Sequence, residues 1–141
     1  VMEIVLKCGV ENLIHRNFNT LSGGEQRRIH FARTLLQLWR PSDAKDPKYL
    51  LLDEPTANLD LTYEVKMLNI IKEVANEGSG IMLVLHDLNL AAKYSDKIVL
   101  LSDGKIIEMG SPKDVLKAEI LSEIYDIDIK IKEDPLFITY Y

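Results

Sequence analysis

Two pairs of polar residues each follow directly after a short apolar run. Asp53-Glu54 follows one such run and His86-Asp87 follows the next. In open α/β sheets, ligands bind beyond the carboxyl ends of the strands. Two carboxylates at such a place suit Mg²⁺-dependent nucleotide chemistry, because one can hold the metal, directly or through water, while the other orients or deprotonates the attacking water. The competing interpretation is that Asp53 and Glu54 only cap a turn before the following proline.

A second candidate site is the string Leu21-Ser22-Gly23-Gly24-Glu25. Ser22 and Glu25 have the spacing of a capping box, which predicts that a helix begins here. Two glycines at a helix start let backbone N–H groups approach a ligand closely, and a helix N-terminus favours an anion. The alternative, a plain N-cap with flexible glycines, stays open at this point.

The other candidates are weaker. A lone histidine is more often a hydrogen-bonded structural residue than a catalyst. His86, however, follows a strand that is predicted to lie beside the strand preceding Asp53-Glu54. Arg27 and Arg28 are interpreted as a solvated helix face rather than as phosphate ligands. No role is assigned to the remaining two histidines, His15 and His30.

Hydrophobic periodicity predicts the elements that position these groups. In the first part of the chain we predict helices at 2–8, from Ser22 to a stop at Pro41, and at 62–76, with strands at 49–52 and 81–85. Because both strands lack polar alternation, they are expected to be covered on both faces by helices. The predicted inward residues are Ile29, Ala32, Leu36 and Trp39 in the second helix, and Val65, Leu68, Ile71 and Val74 or Ala75 in the third.

The second part of the chain contains a tight-turn signal, Asp103-Gly104, which makes 97–101 and 105–109 a hairpin. A short helix is predicted at 88–95, another begins at Pro112, and the alternating stretch 127–141 is expected to be a short edge meander. Strands that alternate with helices indicate an α/β fold with a mainly parallel sheet flanked by helices.

Composition narrows the class of protein. The 141 residues are 47% hydrophobic and 28% charged, as in a globular domain, and the net charge of −5 argues against sequence-independent binding to nucleic acid. The single cysteine, Cys8, favours a reducing compartment. The apolar runs are too short to cross a bilayer, so a role at a membrane is expected to depend on a partner protein.

Taken in order, the motifs resemble those of the nucleotide-binding subunit of ABC transporters. LSGGEQRR at 21–28 resembles the signature motif, YLLLDEP at 49–55 the Walker B strand, ANLD at 57–60 the D-loop, and His86 the switch histidine. KIVLLSDGKIIEMGSPKDVL at 97–116 is similar to the hairpin and following helix of importer ATPases. FARTLLQLW at 31–39 and VLHDLNLAAKYSD at 84–96 are most similar to the ATPases of iron-chelate, haem and cobalamin importers.

The resemblance implies a fold and a domain division. Residues 1–40 would be the end of the helical subdomain with the signature helix, and 41–141 the C-terminal part of the RecA-like α/β core of a P-loop-type ABC ATPase domain. The 141 residues contain no G-x-x-x-x-G-K-[ST] string, which in the family cradles the phosphates. The chain is therefore expected to be a truncated piece that is inactive by itself, whereas the intact parent hydrolyses ATP.

The resemblance also implies residue roles. Asp53 would hold Mg²⁺ through water, Glu54 would be the general base, and His86 would contact the γ-phosphate of ATP. Asp60 would couple the two sites of a head-to-tail dimer. The residues expected to act on ATP held by the opposite subunit are Ser22, Gly23, Gly24 and Glu25.

The implied partners are a second ATPase subunit, transmembrane permease subunits and, indirectly, a periplasmic binding protein, with no nucleic acid. The implied location is the cytoplasmic face of the inner membrane, peripherally bound. Three alternatives stay open: the ATPase lobe of a DNA-repair or chromosome-maintenance protein, a translation-associated ABC protein, and an inactive folded fragment. The first is disfavoured because the initial 20 residues show no heptads.

Overall fold

The computed structural model describes residues 1–38, 47–57, 59–133 and 136–140. The chain forms two compact units, Val1–Val84 and Leu85–Tyr141. The predicted domain boundary between residues 40 and 41 lies outside the described residues and stays a prediction.

The first unit combines three helices with one pair of strands. Strands β1 (Tyr49–Asp53) and β2 (Gly80–Val84) pair in parallel, from Tyr49 opposite Gly80 to Asp53 opposite Val84. A 3-10 turn, Phe18–Thr20, leads into the second helix. The predicted elements are confirmed, although the predicted stop at Pro41 lies outside the described residues. The elements are α1 (Met2–Cys8), α2 (Gly23–Gln37), β1 (Tyr49–Asp53), α3 (Leu61–Asn76) and β2 (Gly80–Val84).

The inward faces of α2 and α3 differ in part from the prediction. Ala32, Leu68 and Ile71 are buried as expected, but Ile29 and Leu36 are only half-buried. The buried residues have the i, i+3, i+4 spacing of one helix face. This face is rotated around the helix axis from the predicted one, because α1 packs against both helices. Val65, Val74 and Ala75 are also half-buried, and Trp39 lies outside the described residues. The buried stripes are Phe31, Ala32 and Leu35 in α2, and Met67, Leu68, Ile70 and Ile71 in α3.

The prediction that β1 and β2 are covered on both faces is wrong for the described residues. Leu50 is 5% exposed, whereas Leu51 is 74% exposed and Met82 is 60% exposed. Successive side chains of a strand point to opposite faces, so helices of this unit cover one face of the pair and leave the other open. A run of apolar residues therefore shows that both faces of a strand are apolar, but it does not show that helices pack on both faces.

The second unit begins with a helix that is followed by two antiparallel hairpins with two short helices between them. Parallel pairing among the described residues is confined to β1 and β2. Asp103 and Gly104 have φ values of 49° and 71°, which fit the predicted two-residue turn between β3 and β4. The helix at Ala118–Tyr125, α6, was not predicted from the sequence. The elements are α4 (Leu88–Tyr94), β3 (Ile98–Ser102), β4 (Lys105–Gly110), α5 (Pro112–Val115), α6 (Ala118–Tyr125), β5 (Ile129–Glu133) and β6 (Leu136–Tyr140).

The second unit has its own apolar core, to which every one of its helices contributes. Val115 and Leu121 are fully buried, and Ile138 of β6 is 1% exposed. The buried members are Leu88, Leu100, Val115, Leu116, Leu121, Ile129 and Ile138. Over the described part of the chain, no helix has the length and apolar character needed to span a membrane.

Candidate functional site

The N-terminus of α2 has the capping box that the sequence predicts. The Glu25 N–H donates to the Ser22 hydroxyl over 3.3 Å, and the Ser22 N–H donates to the Glu25 carboxylate over 2.8 Å. Arg16 adds an ion pair to Glu25 at 3.0 Å. The hydrogen bonds from Ser22, with the Arg16 charge as a smaller cause, hold the pKa of Glu25 below its usual value. Glu25 is thus engaged within the chain, and its contact with nucleotide stays a prediction.

The two glycines that follow Ser22 face open space. A Cβ placed on Gly23 or Gly24 would meet no atom of the described residues within 4 Å. Neither glycine has the positive φ that would exclude other residues. Packing and backbone conformation within the described chain therefore do not require glycine here. The glycines border a shallow cleft together with Gln26, Arg27, His30 and Ala57.

The two arginines that follow the capping box are not a solvated face, which corrects the prediction. Both are half-buried. Arg27 donates to the carbonyl of Ala57, in the segment that follows β1. Arg28 donates to the Gly9 carbonyl over 3.2 Å, and its guanidinium carbon lies 4.0 Å from the ring centroid of Tyr63. A guanidinium can satisfy several acceptors while its stem packs on apolar surface, so these side chains connect elements.

Asp53 and Glu54 lie where β1 ends, as predicted. Asp53 is exposed and Glu54 is half-buried. Glu54 has a φ of 44°, a left-handed conformation that costs a non-glycine residue about 1–2 kcal/mol. The Ala57 N–H donates to the Glu54 carbonyl over 3.2 Å and closes the turn after the strand.

An exposed carboxylate at a strand end fits the way proteins hold Mg²⁺, through one or two carboxylates together with waters and substrate phosphates. Asp53 meets this description. Within the described ranges, no group of three or more His, Cys, Asp or Glu side chains could hold a metal ion.

The remaining predicted residues lie at helix starts. Asp60 is the N-cap of α3, and its carboxylate accepts from the Tyr63 N–H over 3.1 Å. His86 is exposed and immediately precedes Asp87, the N-cap of α4. His86 lies in the second unit, so its approach to Glu54 stays a prediction. Asn58 of the D-loop-like string lies outside the described residues.

Sequence reasoning missed one polar connection in the second unit. The side chain of Asn89 forms hydrogen bonds with both the N–H and the carbonyl of Ile138. No local pattern could reveal this pair, because the two residues lie 49 positions apart.

The fold matches about half of the chain in solved structures of ABC transporter ATPases. It superposes on an inward-facing metal-chelate type ABC transporter with a TM-score of 0.78, at 23% identity, over 99% of this chain and 55% of that chain. It also matches the dimeric structure of an ATP-binding cassette bound to ADP and Pi, with a TM-score of 0.67 and 27% identity, over 79% of this chain and 45% of that one.

The sequence comparisons agree with the fold. The ABC transporter family model matches residues 2–57. The hemin import ATP-binding protein HmuV of Bartonella quintana is 44% identical over 131 residues, which are 92% of this chain and 50% of that protein. HmuV of Hydrogenovibrio crunogenus is 42% identical over 137 residues, 96% of this chain and 53% of that protein. The chain is similar to ABC transporter ATP-binding proteins and spans about half the length of these curated relatives.

Proposed function

We propose that these residues form part of the ATP-hydrolysing subunit of an ABC importer that takes up haem or an iron chelate. The observation that carries the proposal is the presence, in the first unit, of two features that each suit a different part of Mg·ATP. One is the capped start of α2 with its open glycines, and the other is Asp53-Glu54 at the end of a parallel strand. Phosphate and its metal ion need an anion site and a carboxylate.

In the site that this chain serves in its own subunit, Asp53 holds Mg²⁺ through water and Glu54 deprotonates the attacking water. His86 contacts the γ-phosphate and positions that water. The left-handed turn at Glu54 supports this assignment, since strained backbone is concentrated at functional sites. The metal, when bound, neutralises charge on the phosphates.

The start of α2 acts on ATP held by a second ATPase subunit in a head-to-tail dimer. Ser22, Gly23 and Gly24 close over the γ-phosphate, and the unfilled space at both glycines supports a close approach from outside the chain. Glu25 contributes by fixing the N–H and hydroxyl of Ser22. Asp60 couples the two sites across the dimer.

The substrate class follows from the relatives, which are named as hemin import proteins. Transmembrane permease subunits would receive the motion of the dimer, and a periplasmic binding protein would act indirectly. The subunit would be peripheral to the cytoplasmic face of the inner membrane. The net charge of −5 supports a role that does not involve nucleic acid.

Residues 1–141 alone do not hydrolyse ATP in this proposal, because their sequence has no phosphate-cradling G-x-x-x-x-G-K-[ST] string. Calorimetric titration of the 141-residue chain with Mg·ATP tests this point. Low-micromolar binding together with steady phosphate release would contradict it.

The main experiment uses a cassette in which these 141 residues follow the P-loop half of a hemin-importer relative. Glu54→Gln in that cassette should slow ATP hydrolysis by about 10²–10⁴, the range for a positioned general base, and leave nucleotide binding intact. Glu73→Gln, on the exposed side of α3, is the matched control and should leave turnover unchanged. Near-normal turnover of Glu54→Gln would reject the proposed base.

A further inference from the structure

The side chain of Asn89 forms two hydrogen bonds with the main chain of β6, as the main chain of a neighbouring strand would. Its Nδ2 donates to the Ile138 carbonyl over 3.1 Å, and its Oδ1 accepts from the Ile138 N–H over 2.7 Å. Ile138 is 1% exposed, so both of its main-chain groups would lose hydrogen bonds in a buried setting without Asn89. The contact is therefore specific and costly to break.

The same asparagine belongs to the turn that follows His86. The Asp87 carboxylate accepts from the N–H of Asn89 over 2.7 Å and from the N–H of Leu90 over 3.0 Å. The path from Ile138 to the residue next to His86 thus consists of two hydrogen-bonded steps. Leu88 and Ile138 share the apolar core of this unit, which fixes the start of α4 against β6.

A second residue of β6 lies near the same turn. Burial raises the pKa of Tyr140, and the negative charge of Asp87 adds to the rise. Helix α4 has seven residues, which is too short to be stable in water by itself. The order of its first turn must therefore come from packing and from contacts such as these.

We propose that Asn89 is a positioning residue through which the C-terminal hairpin β5–β6 sets the turn that carries His86. The inference deepens the proposed function and rests on it for the role of His86 in hydrolysis. The hairpin then acts within the chain as a clamp: when β6 is seated on Asn89, the His86-Asp87 turn has one conformation. When β6 is displaced, the turn loses its restraint.

The first test uses the 141-residue chain and needs no nucleotide. Asn89→Ala should raise the hydrogen-exchange rate of the Ile138 amide about tenfold or more, since it removes a buried acceptor. It should also shift or broaden the NMR signals of the His86 imidazole, which are assigned by their loss in His86→Gln. His15 and His30 lie in the other unit, and their signals should stay unchanged.

The matched control is Thr139→Val. Thr139 also lies on β6, and its hydroxyl donates to the Lys130 carbonyl over 3.3 Å, within the hairpin. This variant removes one hydrogen bond within the hairpin and keeps both hydrogen bonds of Asn89 with Ile138, so the His86 signals should stay as in the wild type. Asn89→Asp, which keeps an acceptor for Ile138 and loses the donor, should give an intermediate effect and serves if Asn89→Ala does not fold.

The second test uses the cassette with the P-loop half. Asn89→Ala should lower kcat and leave KM for ATP nearly unchanged, because His86 is proposed to act after nucleotide is bound. Unchanged His86 signals in Asn89→Ala, or equal changes in Thr139→Val, would overturn the inference whether or not the cassette hydrolyses ATP. If Asn89→Ala alters the His86 signals but leaves kcat unchanged, the positioning role of Asn89 is supported and the proposed role of His86 in hydrolysis is rejected.

Discussion

The guanidinium group of Arg28 lies over the aromatic ring of Tyr63, with its central carbon 4.0 Å from the ring centroid. The same side chain donates to the Gly9 carbonyl at the end of α1. Arg28 therefore ties the signature-like helix α2 to both α1 and α3. The position of the start of α2 therefore depends on this contact as well as on the apolar core.

Replacing Arg28 should destabilise the first unit. Arg28→Ala and Tyr63→Leu should each lower the free energy of unfolding by about 1–2 kcal/mol, with a coupling of about 0.5–2 kcal/mol in the double-mutant cycle. Urea denaturation of the 141-residue chain measures these values. The exposed Arg33 on the same helix provides the control, and a cycle with no coupling would show that the stacking is incidental.

Gly24 allows fold and function to be separated. Because a Cβ on Gly24 meets no described atom within 4 Å, Gly24→Ala should raise stability by about 0.4–1 kcal/mol. In a Glu54→Gln cassette that closes without hydrolysis, the added methyl group should weaken ATP-dependent dimerisation about tenfold or more, a loss of at least 1.4 kcal/mol. Sedimentation measures the dimer.

The alternative interpretation of Gly24, a flexible helix start, gives a different result. Gly24→Ala would then gain the same stability and dimerise as the unsubstituted cassette does. Gly78→Ala is a contrasting control, because Gly78 has a φ of 96° and an alanine there is strained although the space is open.

Local patterns predicted much of the fold. The capping box at Ser22 and the Asp103-Gly104 turn each depend on neighbours a few residues apart, and both are present. The sequence did not reveal which face of α2 is buried or that the Leu51 side chain is exposed to solvent. Both features depend on which element, distant in sequence, packs against these residues. The same reason hid the pairing of Asn89 with Ile138, and the site roles remain predictions because they involve molecules outside this chain.

The left-handed turn at Glu54 predicts a difference between two small replacements. Glu54→Gly and Glu54→Ala both remove the side chain, but only glycine adopts a φ of 44° without steric cost. Glu54→Gly should therefore be more stable than Glu54→Ala by about 1 kcal/mol. Thermal unfolding of the two variants compares them directly, and the reverse order would mean that the turn relaxes in solution.

Cys8 predicts a dependence of stability on alkaline pH. Burial raises the pKa of the Cys8 thiol to about 11 from 9.0, against an opposing effect of the Lys66 charge. The folded chain thus keeps the thiol protonated where the unfolded chain loses it, and this stabilisation is complete below pH 9. It should decline by up to about 2–3 kcal/mol as the pH rises from 9 to 11.

The measurement is the unfolding free energy of the wild type minus that of Cys8→Ala at several pH values. Lysines and tyrosines titrate alike in both chains, so the difference isolates the thiol. A difference that stays constant between pH 8 and pH 11 would contradict a raised pKa.

The hairpin of β3 and β4 ends in the exposed pair Asp103 and Gly104, just beyond the last ladder pair, Ser102 with Lys105. Doubling the length of a loop costs only about 0.6 kcal/mol of closure entropy. An epitope or a small fluorescent peptide inserted between these two residues should therefore leave the core of the second unit intact. The turn thus provides an internal position for a tag, away from residue 1 and residue 141.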